Sequence, residues 1–330
     1  MAKKVGVPRG LFYYQYFPLW RTFLEELGAE IIVSDYSTKR ILNDGVKASV
    51  DEACLPVKLF HGHVLDIKDR VDYLFIPRFT SISRDEYICP KFGGLPDVIR
   101  HSINNLPQII DTEVNLRKSG RNSWKAAFEV GRNFTCDKKL IKKAYLKALE
   151  EYRAFRKQVK SGILPCDILD KRRKPVQPAK GKKLKIMVIG HVYNLYDSFV
   201  NMDMINKLRS SNVVVTTVDM IDDRIINTKA GALQKKMFWN FGRKAAGSAF
   251  HMLDSADVDG IIYIMSFGCG VDSFVCDLIE RKIRSESDIP FIIVTIDEHS
   301  GEAGINTRLE AFVDMIRWRK KNETDISAYG

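Results

Sequence analysis

Gly260-Ile261-Ile262-Tyr263-Ile264-Met265-Ser266-Phe267-Gly268-Cys269-Gly270-Val271-Asp272-Ser273 decides how the chain is read. Ile261 to Met265 is a short apolar run, too short for a membrane helix and suited to a central parallel strand. Gly268 and Gly270 relax the backbone on both sides of Cys269, so another group can approach it closely. Asp272 or Ser273 is expected to cap a helix over Phe274 to Ile283. In open α/β sheets, ligands sit beyond the carboxyl ends of the strands, and Cys269 is expected there. A thiol in a tight turn can equally be a small buried hydrophobe, so its surroundings must decide.

Working outward, the same grammar recurs along the chain. Lys4 to Pro8, Ala29 to Ser34, Val71 to Pro77, Gln108 to Asp111, Lys185 to Gly190, Val213 to Val218 and Phe291 to Ile296 read as strands, with helical patterns between them. That alternation predicts βαβ units around parallel sheets. Both halves open alike: Gly6-Val7-Pro8-Arg9-Gly10-Leu11-Phe12-Tyr13 compares with Val188-Ile189-Gly190-His191-Val192-Tyr193. The expected architecture is therefore two similar α/β domains facing across a cleft. The first covers residues 1–115 and the second 184–330. Between them, 116–183 reads as a helical segment and a basic, proline-bearing linker over Asp170 to Lys183. In the helical segment Asp137 is the expected N-cap, with Cys136 packing on Ile141 as a hydrophobic staple. Arg78 to Leu95 reads as one long connection carrying Cys89, and a long connection rich in aromatics is more often functional than disordered.

A chain of 330 residues with 45% hydrophobic content suits two packed domains, and no apolar run approaches bilayer length. The N-terminus passes straight into a strand pattern without a signal-peptide core, so a cytoplasmic location is expected. The net charge of +11 gathers in runs such as Lys138-Lys139, Lys171-Arg172-Arg173-Lys174 and Lys180 to Lys183. Such runs attract acidic partners or phosphates, those of coenzyme A included. No nucleic-acid motif accompanies them, so solvated helix faces and a linker are the expectation, with neither nucleic acid nor membrane as partner. Gly242-Arg243-Lys244-Ala245-Ala246-Gly247-Ser248 spaces its glycines like a P-loop but lacks the phosphate-binding lysine and the preceding strand. His61-Gly62-His63 cannot present both rings on one helix face and is expected to be structural.

Six cysteines occur, at positions 54, 89, 136, 166, 269 and 276, and none forms a CxxC pair. In a cytoplasmic chain of this length, metal or redox chemistry suits them better than disulfides. Cys136 reads as structural, Cys166 as a thiol at the linker's edge and Cys276 as core. Cys54, Cys89 and Cys269 each lie in a glycine- or proline-marked loop expected at the cleft. Three thiolates could hold an iron–sulfur cluster and leave one iron open. Asp297-Glu298-His299-Ser300-Gly301-Glu302 adds metal-ligand and acid–base side chains at a strand end.

These motifs, taken together, resemble the acyl-CoA dehydratase activase-related family, part of the wider 2-hydroxyacyl-CoA dehydratase and double-cubane cluster protein superfamily. The residues that carry the likeness are Gly6-Val7-Pro8-Arg9, Glu52-Ala53-Cys54-Leu55-Pro56-Val57-Lys58 with His61-Gly62-His63, Tyr87-Ile88-Cys89-Pro90, Tyr193-Asn194-Leu195-Tyr196-Asp197, Phe267-Gly268-Cys269-Gly270-Val271-Asp272-Ser273, and Asp297 to Gly304 with Thr307 to Phe312. The resemblance implies two Rossmann-like domains with a [4Fe–4S] cluster between them, held by Cys54, Cys89 and Cys269. It implies an ATP-dependent activase, or another low-potential electron donor, as partner, with a related cluster-binding subunit also compatible. The expected role is an oxygen-sensitive reductase or dehydratase-like component acting on a small or acyl-CoA substrate. A non-catalytic cluster carrier is the alternative. Glu298 and His299 are expected to handle protons near the open iron, and Tyr193 or Ser266 to orient a ligand. Family members often carry a further cysteine near Pro77, where this chain has Arg78, and of the six cysteines Cys136 and Cys166 are badly placed for a second cluster, so one cubane is expected rather than two.

Overall fold

The computed structural model describes residues 2–170 and 183–327, with side chains to residue 322. Most of the expected basic linker, residues 171–182, lies outside the described residues. The first half contributes β1 (Lys4–Val7), α1 (Tyr13–Glu26), β2 (Glu30–Val33), α2 (Lys39–Lys47), α3 (Leu55–Ile67), β3 (Tyr73–Phe75), β4 (Arg78–Ser81), α4 (Pro90–Ser102), β5 (Gln108–Ile110) and β6 (Glu113–Asn115). Three helices follow: α5 (Asn122–Gly131), α6 (Lys138–Lys160) and α7 (Pro165–Leu169). The second half contributes β7 (Leu184–Ile189), α8 (Val192–Leu195), α9 (Met204–Ser210), β8 (Val213–Thr217), α10 (Asp223–Ala230), α11 (Asn240–Ser255), β9 (Gly260–Ser266), α12 (Gly270–Glu286), β10 (Phe291–Ile296) and α13 (Glu302–Ser327).

The strands form two four-stranded parallel sheets, ordered β2-β1-β3-β5 and β8-β7-β9-β10. Each sheet thus places its first strand between its second and third. The strand order therefore reverses beside the first strand, and ligands of open α/β sheets gather at that reversal. Ile261 to Ile264 are fully buried, as a strand covered on both faces requires. Within the expected long connection, β4 pairs in parallel with β6 as a separate two-stranded sheet. Sequence reasoning missed this pair because Arg78-Phe79-Thr80-Ser81 and Glu113-Val114-Asn115 each carry a single apolar residue, too few to show a strand period.

Helix packing repeats between the halves. Gly62 of α3 lies so close to α2 that an added Cβ would stand 1.9 Å from the Ile41 carbonyl oxygen. Gly247 of α11 lies nearly as tight on α10, where a Cβ would meet the Ile226 carbonyl oxygen at 2.3 Å. The P-loop-like glycines thus serve helix packing. In the helical segment, Asp137 caps α6 by accepting from the N–H groups of Lys139 and Leu140 at 2.8 and 3.3 Å. The expected staple does not form: Cys136 is exposed, and Ile141 packs on Gly131 instead. Cys166 is not a linker-edge thiol but a buried core residue of α7, while Cys276 is buried as expected.

The halves share one apolar core, and the crevice between them narrows to an aromatic seam. Phe12 and Phe92 of the first half meet Phe241 of the second at ring-centre distances of 5.8 and 6.0 Å, and Tyr14 meets Tyr196 at 6.2 Å. A polar chain crosses the same seam. The Arg9 N–H donates to Ser34 Oγ at 2.8 Å, and Ser34 pairs with His63 Nδ1 at 3.0 Å. His63 Nε2 meets Ser37 Oγ at 3.0 Å, and Ser37 donates to the Asp197 carboxylate. Since Ser37 gives its proton to Asp197, it accepts from Nε2–H, and Nδ1 in turn accepts from Ser34.

Complete burial, with Arg9 nearby, holds His63 down to about 3, so it stays neutral. The unfolded chain binds a proton near pH 6.5 that the folded chain refuses until about pH 3. Stability is therefore expected to fall progressively as pH drops through that window, by on the order of 3–5 kcal/mol from this group. Urea midpoints at pH 7, 5 and 4 should show the loss, and His63→Gln should flatten it.

Candidate metal centre

Cys54, Cys89 and Cys269 line one cavity of about 70 Å³ between the two halves. Each stands at the N-cap of a helix: Cys54 of α3, Cys89 of α4 and Cys269 of α12. The expected start of α12 was therefore too late. Cys269 itself takes the cap position, Ser273 Oγ donates back to its carbonyl at 2.9 Å, and Asp272 turns inward. Gly268, at φ +74°, makes the left-handed step that brings Cys269 round to the cavity. Pro56 and Pro90 occupy the first turns of α3 and α4, where no N–H donor is lost. Three helix N-termini thus aim their positive ends at one point, which favours negative charge there. Strand order places Cys269, after β9, and His191, after β7, at the reversal of the second sheet.

Burial pushes the Cys54 and Cys89 thiols up, while Lys91 and the N–H groups of Val57 and Lys91 pull the other way. The Cys269 sulfur raises both of these thiols further, and Cys54 raises Cys89 as well, which places the three sulfurs within electrostatic reach of one another. Tyr193 lines the same cavity; burial raises its hydroxyl well above the usual phenol range, and Asp272 and the three cysteines add to this. It remains a phenol, able to donate a hydrogen bond.

His191 and Asp272 complete the site, and neither was singled out as a ligand from sequence. His191 Nε2 lies 2.9 Å from Asp272 Oδ2, with both side chains buried, and Tyr263 donates to Asp272 Oδ1 at 3.1 Å. Burial alone would lower the imidazole, but Asp272 and the Cys269 sulfur outweigh it and hold His191 at about 10. His191, Cys269 and Asp272 bring their ligand atoms within 4.8 Å of one another, a spacing that a single metal ion could bridge.

The other expected residues are engaged elsewhere. Glu298 pairs with buried Lys58 of α3 at 2.5 Å, and this partner overcomes burial to hold its carboxyl below the usual range. A carboxylate so held is a poor proton donor, and it pins β10 to the first half instead. His299 is exposed; its N–H donates to Asp297 Oδ1, which also takes the Ser300 hydroxyl. Neither Glu298 nor His299 lines the thiol cavity. Ser266 is buried beneath it, donating to Asn194 Oδ1 at 3.0 Å. The two histidines around Gly62 are buried and hydrogen-bonded, His61 Nδ1 to the Val57 carbonyl at 2.8 Å. Arg78 bridges Asp97 and Asp111 at 2.7 and 3.5 Å.

The Cys89 loop is fastened to the second half. Tyr87 N–H donates to the Phe238 carbonyl at 2.8 Å, and Asn240 N–H donates to the Tyr87 carbonyl at 2.9 Å. Glu86 is buried beneath this bridge, paired with Arg243 and accepting from Asn240 Nδ2 at 2.7 Å and Ser83 Oγ at 2.5 Å. The clamp sets Cys89 against Cys269 although they come from different sheets.

Residues 4–221 match a family model described as the CoA enzyme activase uncharacterised domain. The chain belongs to that family. The match agrees with the acyl-CoA dehydratase activase-related resemblance, and it takes in Cys54, Cys89, His191 and Tyr193. It ends before Cys269 and Asp272, so the activase-domain match alone covers part of the thiol cavity. A search of curated proteins finds no match to the chain. Among the described residues, no helix is long and apolar enough to cross a membrane.

Proposed function

We propose that Cys54, Cys89 and Cys269 bind an iron–sulfur cluster, and that the protein serves as a redox component of acyl-CoA chemistry. The observation that carries this is the meeting of three N-cap cysteines, far apart in sequence, in one cavity. The donors fit the group. Cysteine thiolate is the common cluster ligand, and three helix N-termini favour the negative charge that metal-bound thiolates and sulfide bring. Phe92, Phe241 and Trp239 supply an apolar wall that limits water. A [4Fe–4S] cluster suits three protein ligands and one open position, and when bound it would supply one-electron chemistry at low potential.

The chain's own residues supply the rest. His191, held protonated by Asp272, can donate a proton toward Cys269 or a ligand beside it. Tyr193, kept as a phenol, can orient a carbonyl oxygen. Tyr193 keeps the role expected of it, and His191 takes the proton-handling role expected of Glu298 and His299, which do not line the cavity. The electron donor suited to this role is an ATP-dependent activase or another low-potential carrier, and the substrate a small or acyl-CoA compound. Anaerobic purification with iron and sulfide quantitation, followed by low-temperature EPR of the reduced protein, tests the reading. Bound iron with equimolar sulfide supports it, and protein that takes up no iron after reconstitution sinks it.

A second reading rests on the His191, Cys269 and Asp272 grouping: one divalent ion with mixed nitrogen, sulfur and oxygen donors. Zinc without sulfide, retained in a Cys54→Ala variant, would decide for it.

A further inference from the structure

The helices around the thiol cavity are related in pairs by the repeated strand order. Helix α4 follows the third strand of the first sheet and is capped by Cys89; α12 follows the third strand of the second and is capped by Cys269. Helix α3 precedes the third strand of its sheet and is capped by Cys54. Its counterpart is α11, capped by Trp239. Glycine register fixes this last pairing. Gly62 lies eight residues beyond Cys54, Gly247 lies eight residues beyond Trp239, and each is the point where its helix touches the preceding one. Backbone angles agree as well: φ −68° and ψ 153° at Cys54, φ −85° and ψ 117° at Trp239.

The cavity therefore has four equivalent corners, with a thiol at three and an indole at the fourth. We propose that Trp239 occupies the corner opposite the three cysteines, covering the coordination position they leave free and setting the size of ligand that reaches it. The proposal rests on the iron–sulfur reading above. Trp239 lines the same cavity and is half-buried. Its neighbours on either side, Phe238 and Asn240, are bonded to the Tyr87 main chain, so the ring is carried on a fixed support. An indole N–H donates only and cannot ligate a metal, so this corner is closed by bulk rather than by a bond. Bulk held on two flanking hydrogen bonds excludes large ligands while leaving room for a single donor atom.

Three proteins test this: the wild type, Trp239→Cys and Trp239→Ala, each reconstituted anaerobically and treated with ferricyanide. The oxidant takes electrons from the cluster and becomes ferrocyanide, and an iron without a protein ligand is released as the ion. In Trp239→Cys the new thiol gives up its proton and binds that iron. Wild type is expected to lose one iron with a change of EPR signal, Trp239→Cys to keep it, and Trp239→Ala to lose it several-fold faster. Equal loss in wild type and Trp239→Cys overturns the proposal. A second measurement needs no cluster: alkylation of Cys54, Cys89 and Cys269 in metal-free protein, with exposed Cys136 as internal reference. Faster alkylation of the three in Trp239→Ala, at an unchanged urea midpoint, supports a cover. Unchanged alkylation rates overturn it, even if the wild type holds no iron and the cluster reading has failed separately.

Discussion

Cys269→Ala is expected to leave the protein with no bound iron after reconstitution, while Cys136→Ala binds as wild type does. Cys269 is the residue that both groupings at this site share: it lies with Cys54 and Cys89 in one cavity and with His191 and Asp272 in one cluster of donors. Losing it takes away a ligand under either reading. Under the cluster reading, Asp272→Asn removes the charge that holds His191 but no ligand. Weakening a supporting interaction of that kind costs about 10- to 100-fold in metal affinity. The alanine variant should fall well below that range. Iron per chain, measured beside the urea midpoint, separates a lost ligand from a lost fold. Full iron in Cys269→Ala would remove this cavity as the metal centre.

The second large effect is expected at Glu86. Its carboxylate is buried against Arg243, whose own side chain is nearly buried, and it also takes hydrogen bonds from Asn240 and Ser83. Taking one partner from a buried ion pair strands the other, which costs about 3–5 kcal/mol. Glu86→Ala should lower the urea-extrapolated stability by that order and loosen the turn that carries Cys89. Iron retention should fall with it, although no ligand has been touched. Glu86→Leu with Arg243→Met removes both charges and should recover much of the stability. If Glu86→Ala matches the wild type in both measurements, the clamp has no part in holding the site.

The sheets were legible because their strands are short apolar runs closed by glycine, proline or a capping residue. The strand Ile261 to Met265 with its Gly-Cys-Gly turn could be read directly from periodicity and backbone chemistry. The three cysteines were legible for a related reason: proline and glycine beside them mark the loops that lead into helices. What could not be read was how charge is used. Asp297 to Glu302 looks catalytic by composition, yet Lys58, Lys207, Ser300 and the His299 N–H consume its carboxylates. Lys58 and Lys207 lie far off in sequence and the His299 N–H in the backbone, where composition does not reach. His191 and Asp272 were overlooked for the converse reason. Each stands alone in its stretch, and a helix expected to start at Phe274 makes Asp272 a cap, whereas α12 starts at Gly270 and turns Asp272 inward. The one available signal was the parallel between Arg9-Gly10 and Gly190-His191 at the ends of the two first strands. It marked the loop without saying what its side chain would meet.

The aromatic seam limits how anything can enter. With Phe12, Phe92 and Phe241 interlocked and Tyr14 set against Tyr196, the halves cannot swing apart like jaws without breaking the common core. Admission must then come from small local displacements at the rim, where the exposed Phe267 and the left-handed Gly268 sit directly before Cys269. A guest held there would be exchanged by the flexing of one turn, at a rate set by that turn and not by the molecule as a whole.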